Sequence, residues 1–262
     1  MTFQSYLNFL GTGTSTGVPQ IGCQCPVCTS HNPKNKRLRS SVTLKVRDYV
    51  LLIDSSMDLR QQALKYHLTQ VDAVLYTHGH VDHVGGFDDL RAFCWGKPDG
   101  LPIYGSNETL KILERMYPWA FAENVYPGYV RPITHTISRN FMLGPIVVTS
   151  VPVIHGNVET HGFVFDVNGY RIAYVPDVKT VPAGSMSLLE NVDVMIMDGL
   201  RYHEHTTHMH VDDAVALIES VGAKKAYLTH LSHHIDYHEL KGRLPKHIEP
   251  AYDGLKIPIR QF

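Results

Sequence analysis

Four side chains that can bind metal ions fall within six residues of this chain, at His78, His80, Asp82 and His83. They follow an apolar, β-branched run at 71–76, which predicts a buried strand. His78 and His80 lie two residues apart, so in an extended chain their side chains point to the same side. One ion could be held by the two histidines and another by Asp82 with His83. The motif therefore predicts a centre of two metal ions.

Three further residues of metal-binding type stand where apolar runs end. His155, Asp177 and His230 each directly follow a short run that predicts a strand. Sites in sheet-based enzymes gather at the carboxyl ends of strands, because the loops there are free to converge. Taken singly, each of these residues is as often a surface or core residue as a ligand. Together with the first cluster they become candidate ligands, and the carboxylate of Asp177 could bridge two ions.

The length, charge and terminal sequence of the chain limit the kinds of protein it can be. A chain of 262 residues without linkers or low-complexity tracts is expected to form one domain over 1–262. With 24 basic and 25 acidic residues the formal net charge is -1, so the chain has no general attraction for nucleic acid or a membrane. The N-terminus lacks the pattern of a signal peptide, and no apolar run is long enough to span a bilayer. We therefore expect a soluble, cytoplasmic protein with no membrane partner.

Strands and helices alternate along the chain. The predicted strands lie at 6–10, 41–46, 49–53, 71–76, 102–105, 146–154, 163–167, 170–175, 192–197 and 226–229. The predicted helices lie at 57–67, 87–95, 108–116 and 211–221. Hairpin turns are expected at Arg47-Asp48 and at Asn168-Gly169, and the aromatic stretch 118–132 predicts a loop. This order indicates a layered α/β domain with mixed sheets.

A second cluster of metal-binding residues consists of three thiols, which are Cys23, Cys25 and Cys28. Three close thiols in a chain without an export signal indicate metal binding rather than a disulfide framework, with free thiols as the alternative. A tetrahedral structural zinc needs a fourth ligand. His233, three residues after His230, can supply it, and His31 and His234 are the alternatives. We expect the fourth cysteine, Cys94, in the core.

The order and spacing of the seven candidate ligands resemble those of the metallo-β-lactamase-fold hydrolases over nearly the whole chain; these ligands are His78, His80, Asp82, His83, His155, Asp177 and His230. The resemblance implies an α/β (α+β) fold, a four-layer αββα sandwich of two mixed β-sheets flanked by helices, with the metal centre at one edge of the sheets. It implies that the first two histidines and His155 hold one ion. Asp82, His83 and His230 would hold the other, with Asp177 as the bridge.

Three motifs narrow the resemblance. GTG at 11–13, GCQCPVC at 22–28 and THLSH at 229–233 are similar to the cyclic-phosphate phosphodiesterases of phosphonate breakdown, of the phosphoribosyl cyclic phosphate phosphodiesterase type. That family carries a Cys₃His structural zinc besides its catalytic pair of ions. A cofactor-biosynthesis branch shares the Cys-rich opening, and the intact cluster at His78 favours the hydrolytic branch. The resemblance further implies manganese or zinc in the active site, zinc at the cysteines and a homodimer.

The expected activity is hydrolysis of a small, cyclic phosphodiester by a hydroxide that bridges the two ions. The histidine-rich run 203–210 can supply a general acid for the leaving alkoxide. By resemblance this residue is His210, with His208 as the alternative, and Asp82 is the other expected catalytic residue. Asp54, at the end of a predicted strand, is either a partner that orients a ligand histidine or a structural turn residue.

Three other functions remain open at this level. A nuclease that matures tRNA 3′ ends uses a very similar site, but this chain shows no RNA-gripping arm and carries no excess of positive charge. A thioesterase or lactamase of the same fold is the second. The third is a non-catalytic binding protein that metal ions stabilise.

Overall fold

A computed structural model of the chain describes residues 4–95, 97, 99–123 and 125–259. Its strands are β1 (Ser5–Gly11), β2 (Ser41–Val46), β3 (Tyr49–Ile53), β4 (Ala73–Leu75), β5 (Leu101–Gly105), β6 (Pro132–Thr136), β7 (Asn140–Leu143), β8 (Ile146–His155), β9 (Val158–Val167), β10 (Tyr170–Val175), β11 (Val194–Asp198), β12 (Lys225–Thr229), β13 (Ile248–Pro250) and β14 (Lys256–Pro258). Its α-helices are α1 (Pro26–Thr29), α2 (Leu59–Tyr66), α3 (Val81–Val84), α4 (Arg91–Cys94), α5 (Asn107–Met116), α6 (Ala183–Leu189), α7 (Val211–Ser220) and α8 (Tyr237–Arg243). Short 3₁₀ turns lie at Pro33–Asn35, Phe87–Leu90 and Pro118–Ala120.

The described strands form two seven-stranded sheets, in the orders β14-β1-β2-β3-β4-β5-β6 and β13-β12-β11-β10-β9-β8-β7. Both sheets are mixed. Strands β3 to β6 are parallel in the first sheet, and β10 to β13 are parallel in the second. The remaining pairs are antiparallel. Each sheet therefore has a group of parallel strands whose carboxyl ends share one edge.

Three apolar layers hold the sheets and helices together. Side chains such as Phe9, Leu44 and Phe165 fill the space between the two sheets. The outer face of the first sheet packs on α2, α4 and α5, and that of the second packs on α6, α7 and α8. Successive residues such as Leu51 and Leu52 are buried on opposite faces, which explains why the strands read as continuous apolar runs. The expected αββα sandwich is confirmed.

The hairpins follow the predicted turns. Strands β2 and β3 have the predicted bounds and are joined by Arg47, whose φ is 56°. Strands β9 and β10 are joined by Asn168 and Gly169, with φ of 54° and 86°. Both residues tolerate the left-handed region, as a two-residue hairpin turn with a right-handed twist requires. The local turn signal was therefore sufficient for both connections.

The pattern missed eight short elements: α1, α3, α6, α8, β6, β7, β13 and β14. Strand β6 is partly exposed and carries no apolar alternation, so it shows no strand pattern. Helix α8 begins directly after its N-cap, Asp236, whose side chain accepts from the backbone N–H groups of His238 and Glu239. Asp236 followed by Glu239 is a start signal that could have revealed this helix. The strand predicted at 71–76 is shorter, at Ala73–Leu75.

The aromatic stretch 118–132 is a loop after its 3₁₀ turn, as expected, although residue 124 lies outside the described residues. Among the described helices, none is both long and apolar enough to cross a bilayer. The division of the chain into one domain over 1–262 stays a prediction.

Candidate metal centre

Strand ends from both sheets converge on one cluster of side chains. In the first sheet, Asp54 follows β3 and His78 lies just beyond β4. In the second, Asp177 lies just beyond β10, Asp198 ends β11 and His230 follows β12. Because these strands are parallel within each sheet, their carboxyl ends lie at the same edge. The sandwich brings the two edges together and so places these side chains around one centre.

Three histidines form the first part of the centre. His78 Nε2 lies 2.8 Å from His80 Nδ1, which lies 3.3 Å from His155 Nε2. His78 and His155 are buried, and His80 is the more exposed of the three. The three nitrogen atoms lie close enough together to hold one ion. These are the residues that the resemblance implies for the first ion, and we call them the first trio.

Asp82, His83 and His230 form the second part, which we call the second trio. Asp82 Oδ2 lies 3.4 Å from His83 Nε2 and 3.6 Å from His230 Nε2. Asp177 lies between the trios. One of its oxygens is 3.2 Å from His83 Nε2, and the other is 3.3 Å from His230 Nε2 and 3.9 Å from His155 Nε2. Its carboxylate therefore reaches ligands of both trios, as a bridge requires.

Several buried polar atoms at the centre have no hydrogen-bond partner among the described residues. They are His83 Nε2, Asp177 Oδ2 and both ring nitrogens of His230. A buried polar atom without a partner costs several kcal/mol, so such atoms seldom gather without a reason. Except for the Nδ1 of His230, they lie close to other ligand atoms of the centre. Imidazole and carboxylate are common ligands of divalent ions such as zinc. The residues present fit a pair of divalent cations.

The charge states of the cluster suit metal binding. Burial lowers the pKa of His78 well below its usual value and also lowers that of His155. Burial raises the pKa of Asp177, but His230 and His83 outweigh it and hold that pKa well below its usual range. Neutral imidazoles and ionised carboxylates are the forms that bind metal ions. Burial lowers the pKa of His83, yet Asp177 and Asp82 outweigh it and raise that pKa well above its usual value. The surrounding carboxylates therefore favour a positive charge at this position.

Hydrogen bonds behind the ligands set which ring nitrogen faces the centre. His83 Nδ1 donates to Asp54 Oδ2 at 2.8 Å. Thr77 donates to Asp54 through its backbone N–H at 2.8 Å and its hydroxyl at 2.9 Å. Since the Thr77 hydroxyl gives its hydrogen to Asp54, it accepts from His78 Nδ1 at 3.0 Å. The Nε2 atoms of His78 and His83 are thus free to bind metal. Asp54 makes the contact of an orienting partner, which is one of the two roles considered for it from the sequence.

The histidine-rich loop contributes His208 to the centre. Its ring stacks on His230 with centroids 4.8 Å apart and meets the edge of His155 at 4.6 Å. Its Nδ1 donates to Asp198 Oδ2 at 2.7 Å, which leaves Nε2 as the free nitrogen. The same loop orients His155, whose Nδ1 donates to the carbonyl of Thr207 at 2.8 Å. His208 therefore stands over ligands of both trios.

His210, the general acid that the resemblance implies, contacts a carboxylate outside the two trios. Its Nδ1 lies 2.7 Å from Asp213 Oδ2, and it precedes the first residue of α7. The backbone N–H of Met209 donates to the carbonyl of Val178 at 2.7 Å. This contact anchors the loop so that His208 points inward, and the chain then turns into the helix. Sequence spacing in the loop contains no information about that anchor.

Sequence reasoning also missed Asp198. Its carboxylate accepts from the backbone N–H groups of Val178 and Leu200, each at 3.1 Å, and from His208. Burial raises the pKa of Asp198 well above its usual value and lowers that of His208, so the pair competes for one proton. The signal was present, because Asp198 ends an apolar strand in the same way as the recognised candidates.

The thiol cluster forms a second site beside the centre. Its four ligand atoms lie within 4.8 Å of one another and belong to Cys23, Cys25, Cys28 and His233. His233 Nδ1 is 3.2 Å from Cys23 Sγ and 3.6 Å from Cys25 Sγ. The structure thus brings His233 to the thiols. The alternatives, His31 and His234, are not part of this cluster among the described residues. Three sulfur atoms and one nitrogen form the donor set of a closed structural zinc.

The local chain geometry gathers these thiols. Helix α1 begins after Cys25, whose Sγ accepts from the backbone N–H of Cys28 at 3.4 Å. Burial raises the pKa of Cys25, but hydrogen bonds from this N–H, from Cys23 and from His233 outweigh it and lower the pKa to about 6. Burial raises the pKa of Cys28 to about 11. Cys94 lies apart in the buried layer between the first sheet and its helices, as expected.

Comparison with known proteins shows the family. Residues 49–231 match the model of the β-lactamase superfamily domain. The chain belongs to this family. The matched range runs from β3 to the residue after His230 and includes every ligand of the two trios. The resemblance drawn from the sequence is therefore confirmed at the level of the superfamily.

Individual relatives carry different names. A crystal structure of a new diphosphatase from the PhnP family is 36% identical, covers 97% of this chain and 96% of that one, and has a TM-score of 0.89. An octanoyltransferase from Porphyromonas gingivalis is 36% identical over 95% of this chain. The match covers 51% of that protein, so this chain spans about half its length. A coenzyme PQQ synthesis protein B from Methylobacterium radiotolerans is 30% identical over 74% of this chain and 73% of that protein.

Proposed function

We propose that this chain is a phosphodiesterase that uses two divalent metal ions to hydrolyse a small phosphodiester, with cyclic phosphates of ribose as the first candidates. The metal-dependent hydrolase fold and the likeness to a diphosphatase of the PhnP family over nearly the full length of both chains support it. The observation that carries the proposal is the position of His208 over both trios, with Asp198 behind it.

Two divalent ions, when bound, lower the pKa of water and neutralise charge on the phosphoryl oxygens. The chain's own residues supply the rest. Asp177 contacts ligands of both trios and so fixes their separation. Asp54 and Thr77 hold the ring nitrogens of His83 and His78 in position. Because these partners are buried, the site is organised before substrate enters.

His208 can supply the proton that a leaving group needs. Its Nδ1–H is engaged by Asp198, so in the protonated ring Nε2 carries the hydrogen that can be donated. An alkoxide that leaves a phosphodiester is a strong base and needs that proton. A thiolate leaves from a thioester more easily, since a thiol has a pKa of about 8.5. An oriented acid at this position therefore favours an alkoxide leaving group over a thiolate.

The test compares two leaving groups. On a cyclic ribose phosphate, His208→Ala is expected to lower kcat/KM by about 10² to 10⁴, the usual contribution of a general acid. On bis-p-nitrophenyl phosphate the loss should stay below about tenfold, because nitrophenolate departs without a proton. His210→Ala is the matched control and should change neither rate by more than about twofold, because His210 contacts Asp213 rather than a ligand of either trio.

Equal losses on both substrates would remove His208 from the acid role, and a loss confined to His210→Ala would restore the sequence-based assignment. If neither phosphodiester is cleaved but a pre-tRNA or a thioester is, the corresponding alternative replaces the proposal. Bound metal without hydrolysis of any ester would identify a non-catalytic binding protein.

The name of the Porphyromonas gingivalis relative does not extend to this chain in our proposal. Its similarity to this chain covers 51% of its length, and the remaining part has no counterpart in the match. We therefore do not include octanoyl transfer in the function proposed for this chain. An assay of octanoyl transfer by the present chain, with the phosphodiesterase assay run beside it, tests this exclusion.

We also propose manganese or zinc in the two trios and zinc at the thiol cluster. The trios offer nitrogen and oxygen ligands, which suit several divalent ions, whereas three thiolates favour zinc. Elemental analysis of the purified protein, with activity measured after metal exchange, tests both assignments. Activity that is indifferent to the ion in the trios would contradict a catalytic role for them.

A further inference from the structure

One short segment, 230–233, carries a ligand of each metal cluster. His230 belongs to the second trio, and His233 completes the thiol cluster. Only Leu231 and Ser232 separate them. Three residues of chain rise at most about 10 Å, so neither histidine can be displaced far without moving the other.

Both intervening residues are held by backbone hydrogen bonds. The N–H of Leu231 donates to the carbonyl of Thr12 at 2.9 Å, and that of Ser232 donates to the carbonyl of Leu200 at 3.0 Å. His230 itself has a φ of 56°, in the left-handed region that non-glycine residues seldom adopt. Such a conformation persists only where the surroundings enforce it. The segment 230–233 is therefore a conformationally restrained link between the two metal clusters.

Arg37 binds backbone carbonyls at the C-terminal end of this link. Its guanidinium donates to the carbonyl of Ser232 at 3.0 Å, to that of Ile235 at 2.8 Å and to Asn35 Oδ1 at 3.2 Å. Its backbone pairs with Val18 in both directions, at 2.7 and 2.9 Å. Val18 packs with the thiol cluster. Arg37 thus connects the segment that carries the histidines with the segment that leads to the thiols.

Burying the charge of Arg37 at this position costs free energy. The residue is 2% exposed, and its burial lowers the pKa of the guanidinium to about 10. Buried charges of this kind are often no more stabilising than apolar side chains of similar size. A planar group with several donors in a rigid fork can, however, fix several acceptors relative to one another. Fixing two carbonyls on either side of His233 is such a task.

We propose that Arg37 is a positioning residue that places His230 and His233 together, so that metal binding at the thiol cluster and at the second trio is coupled. The inference rests on the metal centre of the proposed function but not on its substrate. Coupling of this kind is reciprocal, so metal at either cluster strengthens binding at the other. The first trio, whose ligands are His78, His80 and His155, lies outside the link and serves as the internal reference.

The experiment measures the affinity of each cluster for Co²⁺ by competition with a chelator. Thiolate-to-cobalt absorption reports the thiol cluster, and the two further binding steps report the trios. Arg37→Gln is expected to weaken the thiol cluster and the second trio by about tenfold each, the lower end of what contacts behind metal ligands contribute. The first trio should change by less than about twofold. Arg37→Lys should recover part of the loss, because an ammonium can still donate to a carbonyl.

Arg39→Gln is the matched control. Arg39 is two residues away and pairs with Asp58 and the carbonyl of Ser15, so its loss should leave all three affinities unchanged. Equal weakening of all three sites by Arg37→Gln would indicate general destabilisation and overturn the proposal. Unchanged affinities would overturn it as well.

A second variant keeps the test decisive if Arg37→Gln does not fold. Cys28→Ser removes one thiol and leaves Arg37 in place, and it should weaken Co²⁺ binding at the second trio by several-fold. An unchanged second trio in this variant would refute the coupling. Because no substrate is used, failure of the phosphodiesterase assay would contradict the proposed function while leaving this result standing.

Discussion

The two metal-binding clusters of this chain share the segment 230–233 but are built in opposite ways. The two trios draw nitrogen and oxygen ligands from the strand ends of both sheets, lie mostly buried and have further polar groups, Asp198 and His208, directed at them. The thiol cluster draws three sulfur atoms from one short segment, residues 23–28, and one nitrogen from the shared segment. The first arrangement spreads its donor atoms over both sheets, whereas the second gathers the four-donor set of a closed structural site.

The difference shows how ligand type and origin decide the task of a metal site. Ligands spread over four strand ends need the whole sandwich to assemble, so the trios depend on the fold. The thiol cluster depends on a local turn and on His233, so it contributes to the fold instead. Removing residues from the trios should mainly affect catalysis, whereas removing thiols should mainly affect stability.

The largest effect is expected for Asp177→Asn. Asp177 reaches ligands of both trios, and an amide has only one oxygen and no charge with which to replace it. We expect kcat/KM for a phosphodiester to fall on the order of 10⁴-fold, the size seen when a central catalytic residue is lost. The zinc proposed for the thiol cluster should be retained, as elemental analysis would show. Simultaneous loss of that zinc would break the proposed division of tasks.

A smaller effect is expected for Asp54→Asn, which acts through His83. The change replaces the charged acceptor of the His83 Nδ1 proton with a neutral amide. Metal affinity at the second trio should fall about 10- to 100-fold, measured by chelator competition. Asp58→Asn, which alters a partner of Arg39 outside the centre, is the control and should leave the affinity unchanged. Equal behaviour of the two variants would assign Asp54 to a structural turn.

Cys28→Ser should mainly lower stability and leave catalysis largely unchanged, which is the opposite of the effect expected for Asp177→Asn. Loss of the zinc proposed for the thiol cluster is expected to lower the free energy of unfolding by about 3 to 4 kcal/mol, the stabilisation by a ligand present at 100 to 1,000 times its Kd. With the trios saturated with metal, kcat should change by less than about threefold. Denaturant unfolding and steady-state kinetics measure the two quantities. A large loss of kcat with unchanged stability would assign the thiols to catalysis.

The thiols should also differ in reactivity once metal is removed. With a pKa of about 6, Cys25 is ionised above that pH, whereas Cys28, with a pKa of about 11, stays protonated until strongly alkaline solution. The thiolate is the reactive form, so alkylation of Cys25 should reach half its maximal rate near pH 6 and precede that of Cys28. Mass spectrometry of the alkylated peptides measures the order. Alkylation of both thiols with one pH profile would contradict it.

The smallest effect is expected for Cys94→Ala, the cysteine outside the cluster. Cys94 is 2% exposed in an apolar layer, so its truncation should cost about 1 kcal/mol of stability. Zinc content and kcat/KM should stay as they are. A fall in bound zinc would mean that Cys94 contributes to metal binding at the thiol cluster.

Several features followed from local patterns. The apolar run before His78 and the spacing of His78, His80, Asp82 and His83 depend only on adjacent residues, and this motif predicted the ligands that the structure brings together. The Asn168-Gly169 turn was readable for the same reason. Apolar runs of strand length likewise predicted the layered fold, because a strand buried on both faces needs them.

Other features required the tertiary structure. His208 and His210 are equivalent in sequence, and the backbone contact of Met209 with Val178 decides which of them faces the centre. Asp198 carried a strand-end signal, but only contact with His208 gives it a role. Arg37 carried no signal at all, since its acceptors, Ser232 and Ile235, lie almost 200 residues further along the chain.

The reason is physical. A ligand motif or a tight turn depends on bond geometry and on steric preferences over a few residues, and these are present in the chain before it folds. The direction of a loop side chain, the partner of a buried charge and the convergence of two sheet edges depend on which distant backbone groups become neighbours. Those neighbours are set by packing between the sheets. The candidate metal ligands could therefore be named from the sequence, while their arrangement and the residues behind them could not.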